Sequence, residues 1–245
     1  VTEFDSSNVA FFVVDSTNIL GYSSTIQDSG ALQLSEDRTP LGASTERQTL
    51  LKTIAPVTIG QEGWFDDGAG LIDAALKSKR GVNQQILYAV EGGAIGTDII
   101  GALATQTKYD PKPHKDGLTV VDAGWECQSY DRGLIVADLV SRTAAGNTQA
   151  TPVHDVAADS AAGAQLYLAC TALALGGYTN LIVQVMTSTN GSSWVVLDTF
   201  TALTLIGKER RVIAGAVRQY LAIAWAYTGS GSSPSWTGVV GVARN

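Results

Sequence analysis

The chain has 245 residues, 45% of them hydrophobic and only 16% charged, with a formal net charge of −7. That balance predicts one large or two ordinary folded domains and excludes a disordered chain, which needs few apolar and many charged residues. The acidity is confined to the front: residues 1–145 hold 19 acidic and 11 basic side chains, residues 146–245 hold 4 and 5, so the basic footprint that grips nucleic acid is missing.

Read in chain order, the front is mostly strand. "NVAFFVVD" and "NILGYSST" flank a short turn at Ser16–Thr17 and predict a hairpin. A long polar loop follows from Gln27 to Gln48, and connections of that length in a compact domain are often functional. "TLLKTIAPVTIGQEGWF" resumes strand character, with Pro56 marking an edge or bulge. Residues 64–81 then predict the one clear helix. Asp66 and Asp67 stand at its positive end, and Leu71, Ile72, Ala75 and Leu76 form an apolar stripe. Lys77, Lys79 and Arg80 gather at its last turn, with Gly81 placed as a cap. At about three turns such a helix is too short to stand alone and must lie its stripe on a sheet.

Beyond it, "NQQILYAVEG", "DIIGALATQTKYD", "LTVVDAGWECQSY" and "GLIVADLV" predict strands, joined by turns at "EGGAIG", "DPKPHKDG" and "DRG". Residues 141–155, small, polar and turn-forming, predict a linker. The boundary follows: a first domain over 1–147 and a second over 148–245. The second contains six strand patterns: "QLYLACTALAL", "NLIVQVMTST", "SWVVLDTFTAL", "RRVIAGAV", "RQYLAIAWAY" and "SWTGVVGVAR". The second and third are joined through Asn190-Gly191, a strong hairpin signal. The fold class is mainly β: a front β-sandwich with one packed helix, then a second β-sandwich.

Chemistry-bearing motifs are scarce. "EGGAIGTD" has glycines but neither the Lys-Ser/Thr nor the helix of a phosphate loop, and reads as a hairpin turn. His114 lies in a solvated turn, and His154 and Asp155 lie in the predicted linker without a nucleophile-elbow motif. Two histidines and two cysteines at scattered positions provide no zinc spacing. Cys127 and Cys170 read as small buried residues rather than a disulfide pair. Asn190–Ser192 matches a glycosylation acceptor but already has a reading as a hairpin tip. Trp194, Trp225 and Trp236 read first as core filler and second as a carbohydrate-binding surface. No catalytic, metal or cofactor residue is assigned, no cofactor is expected, and the apolar runs are too short for a membrane span. A structural or binding protein is expected, not an enzyme.

The order of features carries a resemblance. "TPLGAS" (Thr39–Ser44), "VTIGQEGWFDDGAGLIDAALKS" (Val57–Ser78) and "DGLTVVDAGWECQSYDRGLIV" (Asp116–Val136) follow one another as in the major tail protein, or tail tube protein, of long-tailed bacteriophages, which the front half resembles. "LALGGYTNLIVQVMTSTNGSSWVVLDTFTA" (Leu173–Ala202) resembles the extra C-terminal β-sandwich of actinophage-type tail proteins. The resemblance implies a structural virion protein of the tail, assembled in the host cytoplasm. Six copies would close into a ring, and stacked rings would form a hollow tube conducting double-stranded DNA without tight binding. Other tail proteins would be partners, and the lone helix would be scaffold. The long loop, with Asp28, Glu36, Asp37, Arg38, Glu46 and Arg47, is then the candidate ring-to-ring contact. The back half would decorate the outside and touch cell-surface glycans weakly. The competing expectation is a carbohydrate-binding adhesin or capsid-decoration protein.

Overall fold

The computed structural model describes residues 2–4, 9–29, 33–37, 49–54, 57–68, 72–113, 119–155 and 159–244, with backbone alone for 2–4, 33–37 and 49–54. Its strands are, in the front, β1 (Thr2–Phe4), β2 (Phe12–Val14), β3 (Thr17–Asn18), β4 (Ser23–Asp28), β5 (Gln33–Asp37), β6 (Thr49–Ile54), β7 (Thr58–Trp64), β8 (Asn83–Ala89) and β9 (Asp98–Pro113). β10 (Thr119–Thr143) leads into the back, followed by β11 (Gly146–Asn147), β12 (Val153–His154), β13 (Ala164–Ala174), β14 (Asn180–Ser188), β15 (Val195–Thr199), β16 (Gly207–Ile213), β17 (Tyr220–Thr228) and β18 (Ser235–Arg244). One helix, α1, covers Ile72–Leu76. The mainly β class holds, and every paired strand is antiparallel.

Three differences from the sequence reading have physical reasons. The turn expected at "DRG" does not exist, because Asp131, Arg132 and Gly133 stay paired with Gly101, Ile100 and Ile99 inside one unbroken strand, β10. Gly133 marks instead a close crossing: a Cβ there would stand 2.3 Å from the Val242 carbonyl oxygen. "NILGYSST" is broken by a 3-10 turn at Leu20–Tyr22, and the hairpin turn lies at Asp15–Ser16, where Asp15 takes φ 59°. The helix is also shorter than three turns. Asp66 precedes it, its side chain accepting the Gly68 N–H at 3.0 Å and its carbonyl the Asp73 N–H at 3.1 Å. Asp73 is the acid of the first turn, and Gly81 donates to the Gln106 carbonyl rather than capping α1.

The expected linker is woven into the back sandwich. Residues up to Thr143 belong to β10, while β11 and β12 both pair with β17. The boundary expected between 147 and 148 therefore does not separate two sheets. β10 pairs with β7 and β9 over its first part, and from Leu134 to Thr143 it pairs with β18, which in turn pairs with β13. One sheet thus runs from β1 in the front to β16 in the back.

Three cores lie between these layers. The front core packs Phe12, Ile26, Ile59, Tyr88 and Trp125 with Ile72 and Leu76 of α1, so the helix covers the sheet as its stripe predicts. The back core joins Leu166, Leu168 and Val240 to Val183, Val185 and Ile223 of the facing five-stranded sheet, a sandwich. The third core belongs to neither half. Phe11, Val13, Leu87 and Ile99 from the front meet Tyr167, Ala169 and Val239 from the back. Strands β2, β8, β13 and β18 are therefore buried on both faces, which explains their unbroken apolar runs. Asp15–Lys208 and Asp131–Arg210 ion pairs and a Gln85 Nε2–Leu168 carbonyl bond of 2.9 Å tie the same seam.

A chain held this way unfolds as one unit. Calorimetry is expected to give one cooperative transition, whereas two independent transitions would show separable halves. A fragment ending at residue 147 exposes Phe11, Leu87 and Ile99 and is expected to aggregate.

Candidate assembly surface

Opposite the front core, strands β4, β7, β10 and β9 present a polar face. The register aligns Thr25, Glu62, Asp122 and Asp110 in one row, and Gln27, Gly60, Gly124 and Lys108 in the next. The paired glycines leave a depression of about 330 Å³ between Gln27 and Lys108. Lys108 and Lys112 both bond Asp122, and Lys112 lies 3.4 Å from Asp110. Burial pushes the Asp122 carboxyl up, but the two lysine hydrogen bonds outweigh it and hold the group below its ordinary value. Among the described residues this leaves Glu62, in the first of these rows, and Glu126, one row beyond the second and opposite Thr58, as carboxylates of the face without a lysine or arginine partner.

The outer part of β9 is a sheet edge. Pro111 and Pro113 lie two residues apart, so their missing N–H groups fall on the same side, and their partners Val121 and Thr119 occupy the other. With Lys108 and Lys112 beside them, this edge is a poor template for strand addition.

The predicted contact residues separate. Asp28 is 2% exposed at the end of β4, where its carboxylate accepts the hydroxyls of Tyr88 and Tyr130. It is an internal anchor rather than a surface contact, because a buried carboxylate must be hydrogen-bonded. Glu36 and Asp37 lie in β5, opposite Leu50 and Thr49 of β6. Arg38, Glu46 and Arg47, like Leu71 and His114, lie outside the described residues. Part of the expected loop is thus strand: β5 and β6 form a two-stranded ribbon that pairs with no other described strand. It is inserted between β4 and β7, which are themselves neighbours, with Asp28 opposite Ile59.

The remaining scaffold residues fall as the stripe predicts: Ile72 and Leu76 are buried and Ala75 packs against them. A pattern missed in the sequence joins tyrosines to aspartates. Besides the pair on Asp28, Tyr109 donates to Asp73 of α1 and Tyr167 donates to Asp131 across the seam. Burial first, then these carboxylates (for Tyr88, the neighbouring Tyr130 ahead of Asp28), push all four tyrosines well above the usual value of 10. Three of the 19 front carboxylates, Asp28, Asp73 and Asp131, are thus engaged inside the fold. Burial likewise pushes Cys127 up to about 12 and Cys170 up to about 11, leaving two unreactive thiols.

Among the other motif residues, "EGGAIG" is the β8–β9 turn, with Gly92, Gly93 and Gly96 at positive φ. His154 stacks on Tyr220 at 4.4 Å. Trp236 is buried, whereas Trp194 and Trp225 are half-buried, the Trp225 Nε1–H donating to the Ala144 carbonyl at 2.7 Å. Among the described residues no cluster of three metal-ligating side chains occurs, and no helix is long and apolar enough to cross a membrane.

No protein-family model matches the chain, and no curated protein matches it. A solved structure of SPP1 Dit (gp 19.1), described as a paradigm of the hub adsorption apparatus in Gram-positive infecting phages, aligns with a TM-score of 0.37 and 12% identity. The alignment covers 95% of this chain and 98% of that one, and at that score it carries no functional argument.

The tyrosine–aspartate bonds set the alkaline limit. Raised tyrosine pKa values stabilise the fold fully below the unfolded value of about 10, and this contribution is lost as pH rises above it. Tyrosinate absorbance is expected to appear for Tyr88, Tyr109, Tyr130 and Tyr167 only together with unfolding. Asp28→Asn, which leaves two tyrosines on a neutral acceptor, is expected to cost about 1–3 kcal/mol in denaturant titration.

Proposed function

We propose that the chain is a structural subunit of a bacteriophage tail, and more finely that six copies close into a ring whose stacking forms a hollow tube for DNA. The observation that carries this reading is the β5–β6 ribbon, a sheet of its own inserted between two adjacent strands. An isolated two-stranded ribbon is marginal in water, and its unpaired edges favour another surface. A neighbouring copy supplies one. The order of motifs over the front half, which resembles that of tail tube proteins, supports the same reading.

In this arrangement the polar face of β4, β7, β10 and β9 lines the passage. Lysines offset Asp110 and Asp122, while Glu62 and Glu126 keep the face net negative, so it repels phosphate rather than holding it. The passage is then slippery to DNA. The back half lies away from it: Asp122 and Val140 sit on the same strand, separated by a contour of about 60 Å at ~3.3 Å per residue. Because the blocked β9 edge resists strand addition, ring closure would rest on other edges and on side chains. The chain acts by assembly, not catalysis.

The test exploits the adjacency of β4 and β7. Replacing residues 31–55 by a short Gly-Ser turn joins two strands already in register and preserves the front core. The variant is expected to melt like the wild type yet form no rings or rods in negative-stain microscopy, where the wild type forms them. Normal rods from the shortened chain, or none from the wild type under any assembly condition, would contradict the proposal.

A further inference from the structure

At one hairpin tip of the back sandwich, a serine hydroxyl bridges a backbone amide nitrogen and a side-chain amide oxygen. Asn190 is the one asparagine of the chain followed by glycine, and it lies exposed in the turn between β14 and β15. We propose that Asn190 is a self-modifying site, whose side-chain amide is lost through a succinimide formed with the Gly191 nitrogen. This chemistry is independent of the tail assembly argued above.

Ser188 ends β14 opposite Tyr220 and is fully buried, so its hydroxyl has a fixed setting. It accepts the Gly191 N–H at 3.0 Å and the Asn190 N–H at 3.2 Å, and it donates to Asn190 Oδ1 at 3.1 Å. Its two lone pairs and its proton are thereby all used. Oδ1 also accepts the Ser192 and Ser193 N–H groups, each at 2.9 Å, the spacing of an oxyanion-stabilising pair. Among the described residues Nδ2 makes no hydrogen bond, so the group that must leave is not held. The Gln219 side chain pins the turn through the Thr189 carbonyl at 2.8 Å. Gly191 packs on the Tyr220 ring, which a Cβ would approach to 3.3 Å, and it leaves the attacking nitrogen unshielded.

The contacts define a proton relay. The Gly191 N–H passes its proton to Ser188 Oγ as the Ser188 hydroxyl passes its own to Oδ1, and the freed nitrogen pair bonds Asn190 Cγ. Little charge is separated, and the Ser192 and Ser193 amides stabilise what develops on Oδ1. The carbonyl then re-forms: Oδ1 returns its proton to solvent, Nδ2 takes one from solvent, and ammonia leaves. Water opens the succinimide at either carbonyl, giving aspartate or isoaspartate, with one water consumed and one ammonia released. The turn gains a carboxylate, which changes residues 146–245 from 5 basic and 4 acidic side chains to 5 and 5.

The experiment incubates the full chain in mildly alkaline buffer and follows each asparagine by peptide mapping, with isoaspartyl methyltransferase counting the isoaspartate. Asn190 is expected to lose its amide while Asn18, Asn83, Asn147 and Asn180, each followed by a larger residue, keep theirs. At Asn190 the folded chain is expected to react faster than the same chain in guanidinium at the same pH, where the relay does not exist. Ser188→Ala is expected to slow the folded reaction by about tenfold, less than the ~10²–10⁴ of an evolved acid–base group. An Asn190 that persists like the other asparagines, or reacts no faster folded than unfolded, overturns the proposal. So does a Ser188→Ala chain that melts like the wild type and reacts at its rate. If that variant does not fold, the comparison with the unfolded chain decides alone.

Discussion

The structure depends on one strand shared by the front sheet and the back sandwich. β10 begins between β7 and β9, continues against β9, and ends against β18 of the back half. A strand cannot be removed from a sheet without leaving its neighbours' N–H and C=O groups unpaired, and buried unpaired groups are costly. The crossing therefore fixes the relation of the halves, and the third core fills the angle it creates. Gly101 and Gly133 are the sequence's concession to that closeness: a Cβ at Gly101 would stand 2.6 Å from the Tyr167 ring.

This arrangement was partly legible. The six back strands and the β8–β9 hairpin follow from alternation and turn residues, signals local enough to read from the chain itself. The seam was not, although its trace is visible: "AFFVV", "QILYA", "LYLAC" and "VVGVA" are apolar without alternation because both faces are covered. A continuous run says that a strand is buried twice but not by what. The "DRG" stretch misleads for the same reason. Its glycine answers to a strand more than a hundred residues later, and local turn chemistry has no access to that partner.

The candidate surface was less legible. Net charge locates acidity in the front half but not on any face. Asp28, Asp73 and Asp131 accept tyrosine hydroxyls, Asp15 and Asp98 pair with Lys208 and Arg132, and Asp138 holds Arg142 at 2.7 Å. These carboxylates organise the fold, and those left for solvent are fewer than the composition suggests. Asp28 has a second consequence. Anchored by Tyr88 and Tyr130, it fixes the root of the segment that carries the β5–β6 ribbon, so the element proposed to meet a neighbouring copy begins from a rigid point.

On the proposed reading, a stiff single body presents one incomplete element, and assembly completes it. Hydrogen exchange tests this most directly, because amide protection reports whether a backbone group is covered or free. The account predicts that amides of residues 33–37 and 49–54 exchange rapidly in the dilute subunit and become protected in assembled particles, while the β10–β18 seam is protected in both. Equal protection of the ribbon in the isolated chain and the assembly would contradict it, since the ribbon would then need no neighbour.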